Sequence, residues 1–106
     1  MASFGFQPDT NLTPTIDYSK CTPISVIVTF NRERKMKPLY ISLTDLYGNV
    51  LKTKIDAVKF TKEGPGTTSF YCVYTTSHLQ KECILTYYIK EHQWVLMNQV
   101  ILISSY

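Results

Sequence analysis

The sequence has no long hydrophobic run. Its longest apolar stretches, Val26–Val28 and Val100–Ile103, have the length of a strand, whereas a membrane-spanning helix needs about eighteen apolar residues. The first residues also lack the basic and apolar segments of a secretory signal peptide. We therefore expect a cytoplasmic protein with no membrane partner.

Chemically reactive residues are also scarce. The two histidines, His78 and His92, fall in predicted turns, and no cysteine or carboxylate stands at a metal-ligand spacing from them. Gly64-Pro65-Gly66 lacks the lysine and the hydroxyl residue that complete a phosphate-binding loop. We predict that the protein is not an enzyme and has no catalytic residue, metal site or cofactor.

Three cysteines, Cys21, Cys72 and Cys83, are too few and too irregularly spaced for a secreted disulfide framework. Cys72 and Cys83 lie symmetrically about a predicted turn at Ser77-His78, so they become neighbours on one face if the flanking strands pair. We interpret them as two small buried thiols, with a disulfide or redox pair as the alternative.

The most prominent pattern is a series of apolar, β-branched and aromatic runs between Ile24 and Ile103, separated by turn residues. It predicts an all-β protein, a small antiparallel barrel of about five or six strands that occupies residues 24–106 as a single domain. Residues 1–23 contain three prolines and no sustained period, which predicts an irregular arm that docks partly on the barrel.

The predicted strands are Ile24–Asn31, Leu39–Asp45, Val50–Phe60, Ser69–Thr76, Glu82–Ile89 and Trp94–Ser104. A bulge near Asp56–Val58 would return Val58 and Phe60 to the core, Asp45–Asn49 is a tight turn, and Lys62–Gly66 is a loop. Residues 78–92 also fit a helix at i, i+4 spacing, but their β-branched and aromatic content favours a strand.

Four short segments resemble a class of small uncharacterised bacterial proteins. They are Lys-Pro-Leu-Tyr-Ile (37–41), Lys-Ile-Asp-Ala-Val (54–58), Phe-Tyr-Cys (70–72) and Leu-Thr-Tyr-Tyr (85–88), followed by Trp94. The resemblance implies a β-barrel of the Src-homology-3-like type. It rests on scattered positions within residues 26–97 and transfers no catalytic residue.

Two sets of residues are candidates for binding. The alternation along the strands places three aromatic side chains toward solvent, where they suit contact with a protein partner: Tyr40, Tyr71 and Tyr88. A charged segment carries Arg32, Arg34, Lys35 and Lys37, which suit phosphates. We predict a non-enzymatic binding or assembly module that acts through protein contacts. The alternative is a nucleic-acid-binding barrel that uses Arg32–Lys37.

Val100, Ile101, Leu102 and Ile103 form the most aggregation-prone strand of the sequence, because they combine hydrophobicity and β propensity with no charge. Such a strand has to pair with another strand, because an exposed apolar edge promotes aggregation. It either returns to pair with an early strand and closes the barrel, or pairs with a second subunit, and we expect self-association through these residues in the second case.

Overall fold

The computed structural model describes residues 14–98, which contain strands and turns but no helix. One antiparallel sheet holds seven strands in the order β1-β7-β6-β5-β4-β3-β2. The strands are β1 (Cys21–Pro23), β2 (Val26–Phe30), β3 (Met36–Thr44), β4 (Val50–Gly64), β5 (Thr67–Thr76), β6 (Leu79–Tyr88) and β7 (Gln93–Met97). The all-β prediction is confirmed, including the strand at Leu79–Tyr88 where a helix was the competing interpretation.

The sheet is curled because its two edge strands, β1 and β2, follow each other in the chain. The two residues between them contact opposite ends of the strand order. The amide of Ile24 donates to the carbonyl of Trp94 in β7 (3.1 Å), and the carbonyl of Ser25 accepts from the amide of Ser42 in β3 (3.1 Å). The result is a barrel-like half-cylinder.

Residues 14–98 form seven strands, where the sequence predicted five or six for the whole barrel. The additional strand is Cys21–Pro23, which we had assigned to the irregular arm. It pairs with β7 through Cys21↔Met97, Thr22↔Leu96 and Pro23↔Val95. A proline fits here because an edge strand leaves one side without ladder bonds.

Two hairpin turns are tighter than predicted. β4 continues to Gly64, so the predicted loop Lys62–Gly66 shrinks to Pro65-Gly66, where the positive φ of Gly66 (76°) suits a proline-glycine turn. Ser77 and His78 both have positive φ (51° and 67°), which is the geometry of a two-residue turn whose twist matches that of the flanking strands.

Bulges interrupt the β4–β5 ladder between Ile55 and Ala57, as predicted, and again between Val58 and Phe60. The first keeps Val58 packed against the core. The second was not predicted, and it leaves Phe60 54% exposed. The assignment of Phe60 to the core was therefore wrong. The first bulge turns the side chain of Val58 toward the core, and the second turns that of Phe60 away from it again.

The main core consists of apolar side chains from four neighbouring strands, with partly buried Trp94 packed against it. Its buried members are Ile41, Ile55, Phe70, Cys72, Cys83 and Leu85. A smaller cluster of Ile16, Cys21 and Val95 shows that residue 16 of the predicted arm packs on the sheet, while Tyr18 is 57% exposed.

No helix that is long and apolar enough to cross a membrane occurs between residues 14 and 98. β7 ends at Met97. The predicted continuation of that strand to Ser104, with Val100, Ile101, Leu102 and Ile103, lies outside the described residues, as do residues 1–13 of the arm.

Candidate functional site

β6 is paired unequally on its two sides. All ten of its residues pair with β5, from Thr76↔Leu79 to Thr67↔Tyr88. Its ladder with β7 covers only Leu85↔Leu96 to Tyr88↔Gln93. Within residues 14–98, the half of β6 that precedes Leu85 therefore has its ladder with β5.

A groove of about 730 Å³ lies beside this half of β6, and we call it the β6 groove. Its apolar lining comes from Phe60 of β4, Tyr71 of β5, Ile84 of β6 and Met97 of β7. Tyr71 and Ile84 are direct cross-strand partners, so they share one face of the sheet. The groove thus joins an apolar surface to this half of β6.

The bulge between Val58 and Phe60 creates the aromatic part of the groove. It turns the ring of Phe60 onto that of Tyr71, with ring centroids 4.2 Å apart and planes inclined by 15°. A stacked aromatic pair of this kind contributes about 0.5–1.5 kcal/mol beyond the area that it buries. Its exposed side is available to a third side chain.

Charged groups border the groove without filling it. Lys59 Nζ donates to Glu82 Oε2 at 2.9 Å, and both side chains are at least half exposed. An ion pair in that setting contributes little to stability because water screens it. With Lys81 on the same rim, the border offers charges of both signs to an incoming chain.

Two thiols lie beneath the groove. Cys72 and Cys83 are directly opposed in the β5–β6 ladder, are buried, and carry free thiols, which agrees with the interpretation as packed core residues. The hydrogen bond with Cys83, together with burial, raises the pKa of the Cys72 thiol. Since the thiolate is the nucleophilic form, Cys72 has little reactivity toward electrophiles in the folded protein.

The three candidate tyrosines do not share one surface. Tyr71 lies in the β6 groove, whereas Tyr88 packs against the cluster that contains Ile16 and is partly covered by the arm. Tyr40 lies on β3 opposite Lys54, and Lys52 Nζ stands 4.6 Å from the centre of its ring. None of the ring contacts among residues 14–98 joins these tyrosines to each other.

The basic residues project from the hairpin between β2 and β3, and all four are exposed: Arg32, Arg34, Lys35 and Lys37. Asn31 organises this turn, because its Oδ1 accepts hydrogen bonds from the amides of Glu33 (2.8 Å) and Lys35 (2.9 Å). A second cavity of about 610 Å³ includes Arg34 and Lys35, but its lining also contains Glu33 and Glu63, which weaken its positive potential.

The two histidines occupy exposed turns, as the sequence predicted. His92 has a positive φ of 54°, and its Nδ1 shares a hydrogen bond with the hydroxyl of Tyr87 (3.0 Å). No group of three potential metal-ligating side chains occurs in the part of the chain from 14 to 98.

Of the apolar residues that line the β6 groove, the sequence suggested Tyr71 as a candidate for binding but did not suggest Phe60, Ile84 or Met97. The strand pattern could have suggested Ile84, because it shares the phase of Tyr88 on the face opposite Leu85. The sequence pattern does not predict that Met97 lines the groove, because its position there depends on where the β6–β7 ladder ends.

Comparison with known proteins returned no matching family model, curated protein or solved structure.

Proposed function

We propose that this protein is a non-enzymatic binding module that acts through protein contacts, and that it binds an apolar segment of its partner in the β6 groove. The supporting observation is the apolar lining of the groove, in which the stacked rings of Phe60 and Tyr71 lie together with Ile84 and Met97. Aromatic side chains and methionine are enriched where proteins bind each other, and a few such side chains supply most of the binding energy.

The lining sets the chemistry of the partner. Phe60, Tyr71, Ile84 and Met97 favour apolar or aromatic side chains at alternate positions of the bound segment. The border of the groove carries charges of both signs, from Lys59, Lys81 and Glu82. A strongly charged segment of either sign therefore gains little binding free energy from it. The proposed partner is therefore an extended, apolar segment with few charges.

Selection from a displayed library of ten-residue peptides, with the full chain as bait, provides a probe peptide for this proposal. Replacing both groove rings, Phe60→Ser with Tyr71→Ser, should weaken binding of the selected peptide by about tenfold or more, because aromatic anchors dominate such contacts. Isothermal titration calorimetry measures the affinities.

The matched control removes one phenylalanine and one tyrosine elsewhere on the surface, Phe30→Ser with Tyr47→Ser, where the two side chains are 60% and 87% exposed. Its affinity should equal that of the wild type. Equal losses in both double variants, or failure of the library to yield any peptide, would reject the groove as the binding site.

A second candidate function is binding of single-stranded nucleic acid by the β2–β3 hairpin. It is favoured by the four exposed cations of Arg32–Lys37 and by Tyr40, whose ring already contacts Lys52. The two candidates differ in salt dependence. Phosphate contacts weaken steeply as salt rises, whereas an apolar strand contact does not.

A further inference from the structure

We propose that Cys72 and Cys83 form a reversible oxidation site, at which a peroxide joins the two thiols in a disulfide across the β5–β6 hairpin. This inference does not rest on the proposed function, because the disulfide forms or fails to form whatever the β6 groove binds. In the reduced protein the two thiols are packed core residues. Their facing positions make them reactive toward each other when an oxidant is present.

The β5–β6 ladder places the two cysteines directly opposite each other. Its register is continuous over all 10 residues of β6, and Cys72↔Cys83 is one of its inner pairs. Opposed residues of antiparallel strands have side chains on one face and Cα atoms about 4.5–5.5 Å apart, while a disulfide spans about 4.4–6.8 Å between Cα atoms. The strands therefore need no large movement to bring the two sulfur atoms into bonding distance.

The surrounding core holds both side chains in this arrangement. Cys72 and Cys83 are 1% and 4% exposed. The pair Phe70↔Leu85, two positions along the same ladder and on the same face, is 3% and 0% exposed. Side chains in a close-packed core have few rotamers available, so the two sulfur atoms remain neighbours.

The hydrogen bond between the thiols gives them different roles. The Cys72 thiol donates to Cys83, which lowers the pKa of the Cys83 thiol, while burial opposes that effect. The same hydrogen bond raises the pKa of Cys72, whose Sγ also lies 3.5 Å from the carbonyl oxygen of Phe70. Because the thiolate is the nucleophile, Cys83 attacks the oxidant and Cys72 then forms the disulfide with it.

The oxidation balances with one molecule of hydrogen peroxide, which is small and uncharged and therefore suits a buried site. The Cys83 thiolate attacks one peroxide oxygen, the O–O bond breaks, and Cys83 becomes a sulfenic acid. The departing hydroxide takes up the proton that Cys83 released and forms water. The sulfur of Cys72 then loses its proton and attacks the sulfur of Cys83, the S–O bond breaks, and a second water leaves. Two electrons pass from the thiols to the peroxide.

Cys21 provides a reference within the same chain. It is also buried, at 4% exposure, but its ladder partner is Met97, and it packs with Ile16 and Val95 in the smaller cluster. Its thiol donates to the carbonyl of Asp17 at 3.3 Å, and burial raises its pKa. Cys21 thus shares burial with the other two cysteines but is faced by a thioether, so we expect it to stay reduced.

Peptide mass spectrometry of the folded wild-type protein tests the proposal. After treatment with hydrogen peroxide and alkylation of the remaining thiols in denaturant, most molecules should carry a link between Cys72 and Cys83 and an alkylated Cys21. Dithiothreitol should restore all three thiols. The same treatment in urea should give a mixture that includes links to Cys21, because the ladder no longer opposes the other two residues.

Recovery of the folded protein with all three thiols free would overturn the proposal. So would a sulfinic acid at Cys83 in place of the link, or a link to Cys21 as the main product. The variant Cys21→Ala is the matched control, and it should form the link to the same extent as the wild type.

Two further variants test the separate roles of the thiols. Cys72→Ser keeps a hydrogen-bond donor for Cys83 but removes the sulfur that closes the disulfide, so dimedone should trap the sulfenic acid of Cys83 several-fold more than in the wild type. Cys83→Ser should leave Cys72 labelled several-fold less than Cys83 is in the first variant. Stronger labelling of Cys72 would reverse the roles and overturn their assignment.

Discussion

At the scale of single residues, Phe60 shows how one backbone irregularity changes the use of a side chain. Alternation along β4 assigned it to the core, yet the bulge after Val58 places it on the surface beside Tyr71. The pattern of β4 indicated one bulge near Asp56–Val58, but the second bulge depends on how both strands pair, which the residues of β4 alone do not reveal. In this way a residue assigned to the core becomes part of the lining of the β6 groove.

Asp45 is a residue whose structural role follows from its type. Its Oδ1 accepts hydrogen bonds from the amides of Tyr47 and Asn49, both at 2.9 Å, and Gly48 supplies the positive φ (82°) of the turn. The hydrogen bond from Asn49 is the largest cause that lowers the pKa of the Asp45 carboxyl below 3.8, and that from Tyr47 acts in the same direction.

This lowered pKa predicts a specific dependence of stability on pH. The ionised carboxyl of Asp45 stabilises the folded state above pH 3.8, and that contribution is lost as the pH falls through the lower folded-state pKa. Asp45→Asn keeps the Oδ1 acceptor but cannot titrate. Its urea-unfolding midpoint should lie slightly below that of the wild type near neutral pH and fall less between about pH 4 and pH 2, so that the two curves converge in acid.

The variant Glu91→Gln removes a carboxylate from another turn and controls for the change in net charge. Parallel pH curves for wild type and Asp45→Asn would show that the carboxyl of Asp45 contributes nothing to acid unfolding.

At the scale of elements, the hairpins are the part of the structure that the sequence predicts best. β5, β6 and the turn Ser77-His78 follow from alternation and from residues close together in the chain. β1 could not be predicted in the same way, because Cys21 pairs with Met97 and the three residues of Cys21–Pro23 have no period of their own. Short strands that pair over long sequence separations leave little local signal.

The hairpin between β2 and β3 carries the prediction for the second candidate function. Replacing Arg32, Arg34, Lys35 and Lys37 with glutamine should abolish any retention on single-stranded DNA at low salt, because each side chain can neutralise a phosphate. Folding stability should change little, since exposed charges contribute little to it.

A charge-matched control replaces Lys20, Lys62, Lys81 and Lys90 with glutamine and should keep the retention. If the wild-type protein is not retained at low salt, the nucleic-acid function is excluded. If both quadruple variants lose binding equally, the effect is one of net charge, and the hairpin is not a specific site.

At the scale of the whole molecule, the sequence predicted the fold class but not the arrangement that creates the groove. Within residues 14–98, the β6–β7 ladder ends at Leu85↔Leu96, while the β5–β6 ladder continues as far as Leu79, and the β6 groove lies beside that half of β6. This difference in ladder length depends on register and on the placement of β1 beside β7, which no single segment encodes. Tyr71 was therefore predictable as a surface aromatic, but its neighbours in the groove were not.

We propose the β6 groove as the contact site and predict that the edge strand β2 makes no contact with the partner. Ile84 and Met97 line the β6 groove, whereas Ile27 of the edge strand β2 is also 49% exposed but lies elsewhere on the sheet. All three side chains carry methyl groups that nuclear magnetic resonance can follow in the same sample.

Methyl chemical-shift mapping during titration with the selected peptide is the most direct test of partner binding in the β6 groove. We predict that the methyl signals of Ile84 and Met97 shift in proportion to peptide occupancy while that of Ile27 stays constant. A saturating titration in which Ile27 shifts and the groove methyls do not would contradict the assignment of partner binding to the β6 groove.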